Sequence, residues 1–548
     1  MGFVNAIKGG SKQLAINLTT DRVVKYVQKS PEKNFQKVIR ALAMMSTHFG
    51  NTEPFDRFMG WLEANPGSKQ WFINLMQKDR AQVANVIKLL FGNCSLKWIE
   101  KSERLQAKYG FTAPYSILIS PTMRCNLNCK GCYAENYKRD ADLSVEDLDN
   151  IITQGKELGT YLYTILGGEP FVRFNDLYRL ATKHSDCLFQ VFTNGTLITE
   201  KVANQIAELK NFIIVFSVNG DKNEVDFMRG PGVYERVIQS IEFLNQRNLM
   251  FGMSLVLTSR NYELMTSEAF YKTWENRGVM YAWNFLFMPV VKNPDLSLMP
   301  SAEQRVTYGE YIKTYREKHP LFIMDFWADA PAVHGCIAGG RRYLHINHKG
   351  DVEPCIFAHF ATHNIKQHSL LEALKSPFFT AIRQHQPHTD NLLRPCMIID
   401  NPQILRDVCR RHNAQPTAEE AKDLIENPRI TAHLDVYAKE VAKVVDVVWK
   451  NKYQQNIAEM LERKRSYPEG TDRLAYRMDK TGFMQDLERY EQEDASLARN
   501  ILVEAEDAYE QYELEGDIHM KLEENPSPPK NEQQDLPVYE SGTNVTAL

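Results

Sequence analysis

Over the first 112 residues apolar positions recur three to four apart, as from Asp21 to Met45 and from Lys78 to Phe91, with no strand-like alternation. The spacing predicts helices that each bury one apolar stripe, and Asn65-Pro66-Gly67 punctuates them as a turn. From Ala113 to about Asp325 short apolar runs alternate with amphipathic stretches, the βα pattern of a parallel sheet. Six runs read as strands: Ser116 to Ser120, Tyr161 to Leu166, Leu188 to Thr193, Phe212 to Val218, Phe251 to Thr258 and Tyr281 to Met288. Arg342 to Pro354 then reads as two strands around a Lys349-Gly350-Asp351 turn, and Ser369 to Leu374 as a helix. Ile430 to Arg463 is amphipathic, Leu487 to Tyr512 is rich in Glu, and from about Asp517 the mixture of Glu, Asn, Gln, Pro and Ser predicts a disordered tail.

The strand ends carry the chemistry. Cys125, Cys129 and Cys132 follow the first run as CxxxCxxC, three thiolates where an iron-sulfur or zinc site closes with four. Either a distant His or Cys completes the set, or one position stays open for reaction. Gly167-Gly168-Glu169-Pro170 follows the second run, and its glycines let backbone approach a ligand closely. Thr193-Asn194-Gly195, then Ser217-Val218-Asn219-Gly220-Asp221, then Asp226-Phe227-Met228-Arg229-Gly230 follow in order. Each alone reads as a turn, a hairpin or a loop end. Their joint order, at successive strand ends, points to one ligand site.

This set resembles the signature of the radical SAM superfamily. The resemblance implies a 4Fe-4S cluster on Cys125, Cys129 and Cys132, with S-adenosylmethionine on the fourth iron. It implies a partial (βα)6 barrel of the TIM type with its binding loops at the C-terminal strand ends. By the same resemblance Gly167, Gly168, Glu169 and Pro170 meet the methionine amino group, and Thr193 and Asn194 belong to the site. Ser217 and Asn219 lie near the ribose, and Arg229 pairs with the methionine carboxylate. Many relatives carry an aromatic just before the third cysteine; here that residue is Gly131, and Tyr133 is the candidate to take its place against the adenine. Met253 and Asn284 are candidates for facing the cavity, with barrel filling as the alternative.

The stretch from Cys336 resembles the SPASM/twitch module of the same superfamily: Cys, a variable strand, Gly350, four residues, Cys355. A complete module has more cysteines, and the stretch between Cys396 and Cys409 has none. The resemblance therefore implies one auxiliary 4Fe-4S cluster on Cys336, Cys355, Cys396 and Cys409, with His334 or Asp400 as possible substitutes for a thiolate and a four-thiolate zinc site as the alternative. The domain limits expected are 1–112 helical, 113–325 barrel, 326–412 SPASM-like, 413–516 helical and 517–548 acidic tail.

Composition narrows the remaining choices. The 548 residues are 43% hydrophobic, enough for real cores in several units. Nine cysteines, seven of them in two regions, suit metal binding in a reducing compartment better than disulfides, with Cys94 and Cys187 left as packing residues. No apolar run approaches a spanning helix and no signal peptide opens the chain, so a cytoplasmic protein is expected. Residues 1–110 hold 17 Lys and Arg against 8 Asp and Glu, while 501–548 hold 2 against 12. The ends are thus oppositely charged, which fits two solvated faces, self-association or separate partners.

The expected activity is reductive cleavage of S-adenosylmethionine to a 5′-deoxyadenosyl radical that takes hydrogen from a C–H bond, and relatives with this module commonly modify peptides or proteins. Two alternatives stand beside that expectation. One is a lipid-like or hydrophobic substrate at the membrane surface, reached through the basic 1–112 segment with Trp61, Trp71, Phe72, Phe91 and Trp98. The other is a non-catalytic iron-sulfur electron carrier. A reductant such as flavodoxin or ferredoxin is the expected partner, and no nucleic acid.

Overall fold

Six apolar runs become six parallel strands in sequential order: β1 (Ser116–Ile119), β2 (Leu162–Ile165), β3 (Leu188–Thr193), β4 (Phe212–Ser217), β5 (Phe251–Leu257) and β6 (Tyr281–Leu286). Each ends within two residues of its expected limit. The computed structural model describes residues 12–35, 37, 65–134, 137–138 and 140–452. Trp61, the Glu-rich stretch from Leu487 and the acidic tail lie outside them, as do the ends of the Asp21 to Met45 and Ile430 to Arg463 helices. The described residues from Thr19 onward belong to one compact unit. Helices begin where the sequence offers caps: Ser144, Thr199, Asp221 and Ser301 each accept a backbone N–H of the first turn, and Ser144 and Ser301 close capping boxes.

Three further strands extend the sheet. β7 (Phe322–Asp325) pairs parallel with β6, and β8 (Tyr343–Ile346) pairs parallel with β1, giving the order β7-β6-β5-β4-β3-β2-β1-β8-β9 with β9 (Val352–Glu353) antiparallel at the edge. The expected hairpin around Lys349-Gly350-Asp351 therefore forms, but it is stitched into the barrel sheet rather than standing apart. This is a partial barrel: parallel, curved and unclosed.

Register identifies the concave face. Gln190 on β3 donates through Nε2 to the Tyr281 hydroxyl on β6 at 2.9 Å, a bond between strands that are not neighbours. The Tyr281 ring lies across Gly252, where a Cβ would fall 2.5 Å from it, so glycine is required there. Ser254 and Trp283 share this face by pairing. Met253 and Asn284 are one residue out of phase, hence on the opposite face. Asn284 is fully buried and donates to Asp325, whose carboxyl lies within electrostatic reach of helix residue Tyr308. The expectation that these two residues face the cavity is corrected: both are buried on the other face of the sheet, where Asn284 ties β6 to β7.

The N-terminal helices Pro66–Met76, Arg80–Lys88 and Trp98–Tyr109, with a π-helical stretch Leu89–Lys97, close the end where strands begin. Trp71 donates to the Met280 carbonyl, Gln82 donates to Phe212 O at 3.4 Å and accepts from Met250 N at 2.7 Å, and Trp98 donates to Ala113 O at 3.0 Å. Trp71, Phe72 and Trp98 are thus spent on packing, while Phe91 is 64% exposed. The membrane reading loses most of its aromatic support. Among the described residues no helix is long and apolar enough to cross a membrane.

Candidate functional site

The cysteine loop is held by a ladder that continues past the strands. Gly168 N donates to Thr122 O and Glu169 N to Arg124 O, both at 2.9 Å, zipping the loop after β2 onto the segment that leads into Cys125. A Cβ at Gly168 would sit 2.4 Å from Arg124 O, and one at Gly167, whose φ is +121°, 2.4 Å from Thr122 O. No side chain fits at either position without parting the two loops.

Glu169 then ties this corner to β3. Its carboxylate is 1% exposed and accepts from Phe171 N at 2.9 Å, Thr193 Oγ1 at 2.7 Å and Asn194 N at 2.8 Å. Burial pushes its acidity weaker than usual, against those donors and the Arg229 charge. The side chain braces the loop after β2 against the end of β3. Asn194 passes the order on: Nδ2 donates to Asn126 Oδ1 at 3.0 Å and lies 3.9 Å from Cys125 Sγ, while Asn126 Nδ2 donates to Thr196 Oγ1 at 2.8 Å. Asn126 and Thr196 were not legible as site residues, since each reads as an ordinary loop residue.

Cys132 lies between the other two thiols and Arg229. Burial pushes its thiol up to about 11, with Ala134 N and the Arg229 guanidinium pulling the other way. Lys130 N donates to Met228 O at 2.8 Å, which fixes this loop to the Asp226–Gly230 segment. Arg229 Nε is enclosed and has no partner. A buried guanidinium nitrogen left unpaired is costly, and an anionic group at this rim would satisfy it. Ser217 accepts from Ser254 Oγ at 3.5 Å at the lumen edge, and Asn261 Nδ2 fixes the Asn219 carbonyl at 3.0 Å. Tyr133 turns its hydroxyl to Gly167, within 3.1 Å of both N and O, and its ring meets Phe357 edge-on at 6.1 Å.

That contact opens an aromatic wall. Phe357 meets Phe285 at 6.2 Å, Phe285 stacks on Phe326 at 4.9 Å, and Phe326 on Trp283 at 5.4 Å. Trp283 Nε1 is enclosed without a partner. The wall was legible only as alternate aromatics on β6. It runs from the cysteine loop to the hairpin that carries Cys355.

At the second site Cys336, Cys355 and Cys396 come together around Tyr343. Tyr343 Oη lies 3.1 Å from Cys355 Sγ and feels all three thiols. Burial pushes Cys336 up to about 12, with Cys355 adding to it, and raises Cys396 and Cys355 as well. Cys125, Cys355 and Cys396 each accept the N–H of the residue two further on, at 3.4, 3.5 and 3.3 Å, an acceptor role that suits a ligating thiolate. Cys409 stands apart, buried in helix Pro402–Arg411, where the one charge its thiol feels is Arg410. Among the described residues it accepts no such bond. Asp400 has both oxygens engaged, by Arg305, Trp327 and Cys396 N. His334 is exposed, with φ of +59°.

Among the described residues no three Cys, His, Asp or Glu side chains crowd closely enough for a single metal ion. Three thiols at each of the two places are the donor type that an iron-sulfur cluster takes.

Comparison with known proteins agrees. The radical SAM superfamily model matches residues 119–265, and the SPASM model, an iron-sulfur cluster-binding domain, matches 336–397. AdoMet-dependent heme synthase of Oleidesulfovibrio alaskensis is 30% identical over 298 residues, 48% of this chain and 75% of that protein. Mycofactocin maturase MftC of Mycobacterium tuberculosis is 28% identical over 326 residues, 55% of this chain and 81% of its own. The crystal structure of Streptococcus suis SuiB bound to precursor peptide SuiA covers 58% of this chain and 76% of its own, at 19% identity and a TM-score of 0.46. The chain belongs to the radical SAM superfamily. It is an enzyme of the SPASM-bearing kind, whose cofactors are a 4Fe-4S cluster, S-adenosylmethionine and auxiliary iron-sulfur.

Proposed function

We propose that this enzyme modifies a peptide or protein by radical abstraction of hydrogen. The SPASM match at 336–397, together with likeness to a maturase over 81% of that maturase's length, carries the reading. In it Cys125, Cys129 and Cys132 hold the cluster that binds S-adenosylmethionine. When bound, the cluster and S-adenosylmethionine together supply a 5′-deoxyadenosyl radical. The chain's own residues orient and enclose: backbone of Gly167 to Pro170 receives the methionine amino group, and the unpaired Arg229 Nε receives its carboxylate. Ser217 and Asn219 face the ribose. Thr193, Asn194 and Tyr133 keep the rim in shape, because a primary radical attacks whatever lies nearest unless the target is held close. The barrel within 113–325 and the module within 326–412 are the working parts, with the helices between Pro66 and Tyr109 as the floor.

A low-potential reductant of flavodoxin or ferredoxin type supports an oxidoreductase of this kind. None of the nine cysteines is paired in a disulfide, which favours a reducing, cytoplasmic setting. A second reading, a hydrophobic metabolite as substrate, draws on the aromatic wall from Trp283 to Phe357. Anaerobically reconstituted enzyme with dithionite, S-adenosylmethionine and a deuterated peptide encoded beside its gene tests the choice. Deuterium in 5′-deoxyadenosine and a mass change in the peptide support the peptide reading; 5′-deoxyadenosine formed without either, and stimulated by a hydrophobic metabolite instead, refutes it.

A further inference from the structure

The auxiliary site brings three cysteines together and leaves Cys409 aside, so a cluster there lacks one protein ligand. The segment 385–388 runs along the same site. Gln386 donates to Ala338 O at 2.9 Å and reaches the Cys336 thiol, and the Cβ direction of Gly335 meets Pro387 at 3.4 Å. Next in the chain is His388. Its Nδ1 lies 3.2 Å from the His385 carbonyl, while Nε2 is enclosed and has no hydrogen-bond partner.

His388 shares its neighbours with the cysteines. It feels Asp400, which accepts from Cys396 N at 3.0 Å, and Arg341, whose Nε donates to Cys336 O at 2.8 Å. A ring whose Nδ1–H goes to a backbone carbonyl presents Nε2 as a bare lone pair. That is the state a metal-ligating imidazole requires. An enclosed nitrogen with no partner otherwise costs stability.

We propose that His388 Nε2 is the fourth protein ligand of the auxiliary cluster, completing Cys336, Cys355 and Cys396, and that Cys409 is a packing residue. The inference rests on the auxiliary cluster reading, and the experiment separates the two.

Full-length protein carrying Cys125→Ala, Cys129→Ala and Cys132→Ala is reconstituted with iron and sulfide, without S-adenosylmethionine, and reduced for pulsed EPR. Iron uptake with a directly coordinated ¹⁴N coupling is expected. Added His388→Cys retains the iron and loses the coupling, and added Cys409→Ser changes neither. Iron uptake without nitrogen coupling, a coupling that survives in His388→Cys, or loss of the cluster in Cys409→Ser overturns the assignment. No iron uptake at all refutes the auxiliary cluster itself, and the ligand with it.

Discussion

Glu169→Gln tests whether the GGEP glutamate acts as a brace or as a ligand contact. In the wild type one oxygen accepts from Phe171 N and Thr193 Oγ1, and the other from Asn194 N. The amide keeps one oxygen acceptor but turns an NH2 toward the Asn194 N–H, so one charge-assisted bond is lost and two donors face each other in a site that is 1% exposed. Such a loss costs about 2–3 kcal/mol. Taken entirely from the ordered rim, this lowers the binding-competent population roughly 30- to 150-fold, and the Kd for S-adenosylmethionine rises by up to that factor. Equilibrium dialysis with the reconstituted enzyme measures it, with iron content as a control. Thr193→Val breaks the same brace from the other side for about 1 kcal/mol, roughly five-fold in Kd. The double variant is then less than additive, because both changes cut one network. A wild-type Kd in Glu169→Gln, or strict additivity with Thr193→Val, refutes the reasoning.

Arg229→Gln removes the enclosed, unpartnered Nε–H and its charge, and raises the Kd for S-adenosylmethionine roughly ten- to hundred-fold with iron content unchanged, by the same dialysis. Gly168→Ala forces a Cβ to 2.4 Å from Arg124 O and leaves the cluster beyond Cys125 poorly held, read as loss of iron after reconstitution. Gly252→Ala collides with the Tyr281 ring at the closed end of the barrel, costing about 1–3 kcal/mol in denaturant unfolding while leaving iron uptake intact. Glu353 is fully buried; burial pushes its carboxyl up, but the His345 charge and hydrogen bonds outweigh burial and hold it below the usual range. Its stabilisation is therefore present above about pH 4–5 and lost as pH falls through the depressed value, so the stability gap between wild type and Glu353→Gln narrows in acid. A gap that widens on acidification contradicts this sign.

The parallel strands were legible because their apolar runs alternate with amphipathic stretches, and the order of the motifs after the first four carried the family. Parity was not legible. Met253 and Asn284 sit on runs apolar on both faces, and a parallel strand buried on both sides gives no alternation to tell lumen from helix layer. The joining of β8 to β1 was hidden because a pairing between residues as far apart in the chain as Leu118 and His345 leaves no local mark. The helical placement of Cys409 was not legible, because motif spacing counts cysteines without orienting them. Glu169 was legible as a motif residue, but the three donors that its carboxylate takes from its own fold were not.

The central claim is that three thiolates leave one iron corner to S-adenosylmethionine. Electron-nuclear double resonance on the reduced enzyme, with the Cys336, Cys355 and Cys396 cluster removed by alanine substitution, tests it using S-adenosylmethionine labelled with ¹⁵N at the amino group. The account predicts a ¹⁵N coupling to the cluster that disappears in Cys129→Ala. A cluster that shows no coupling, or whose iron survives Cys129→Ala intact, would contradict it.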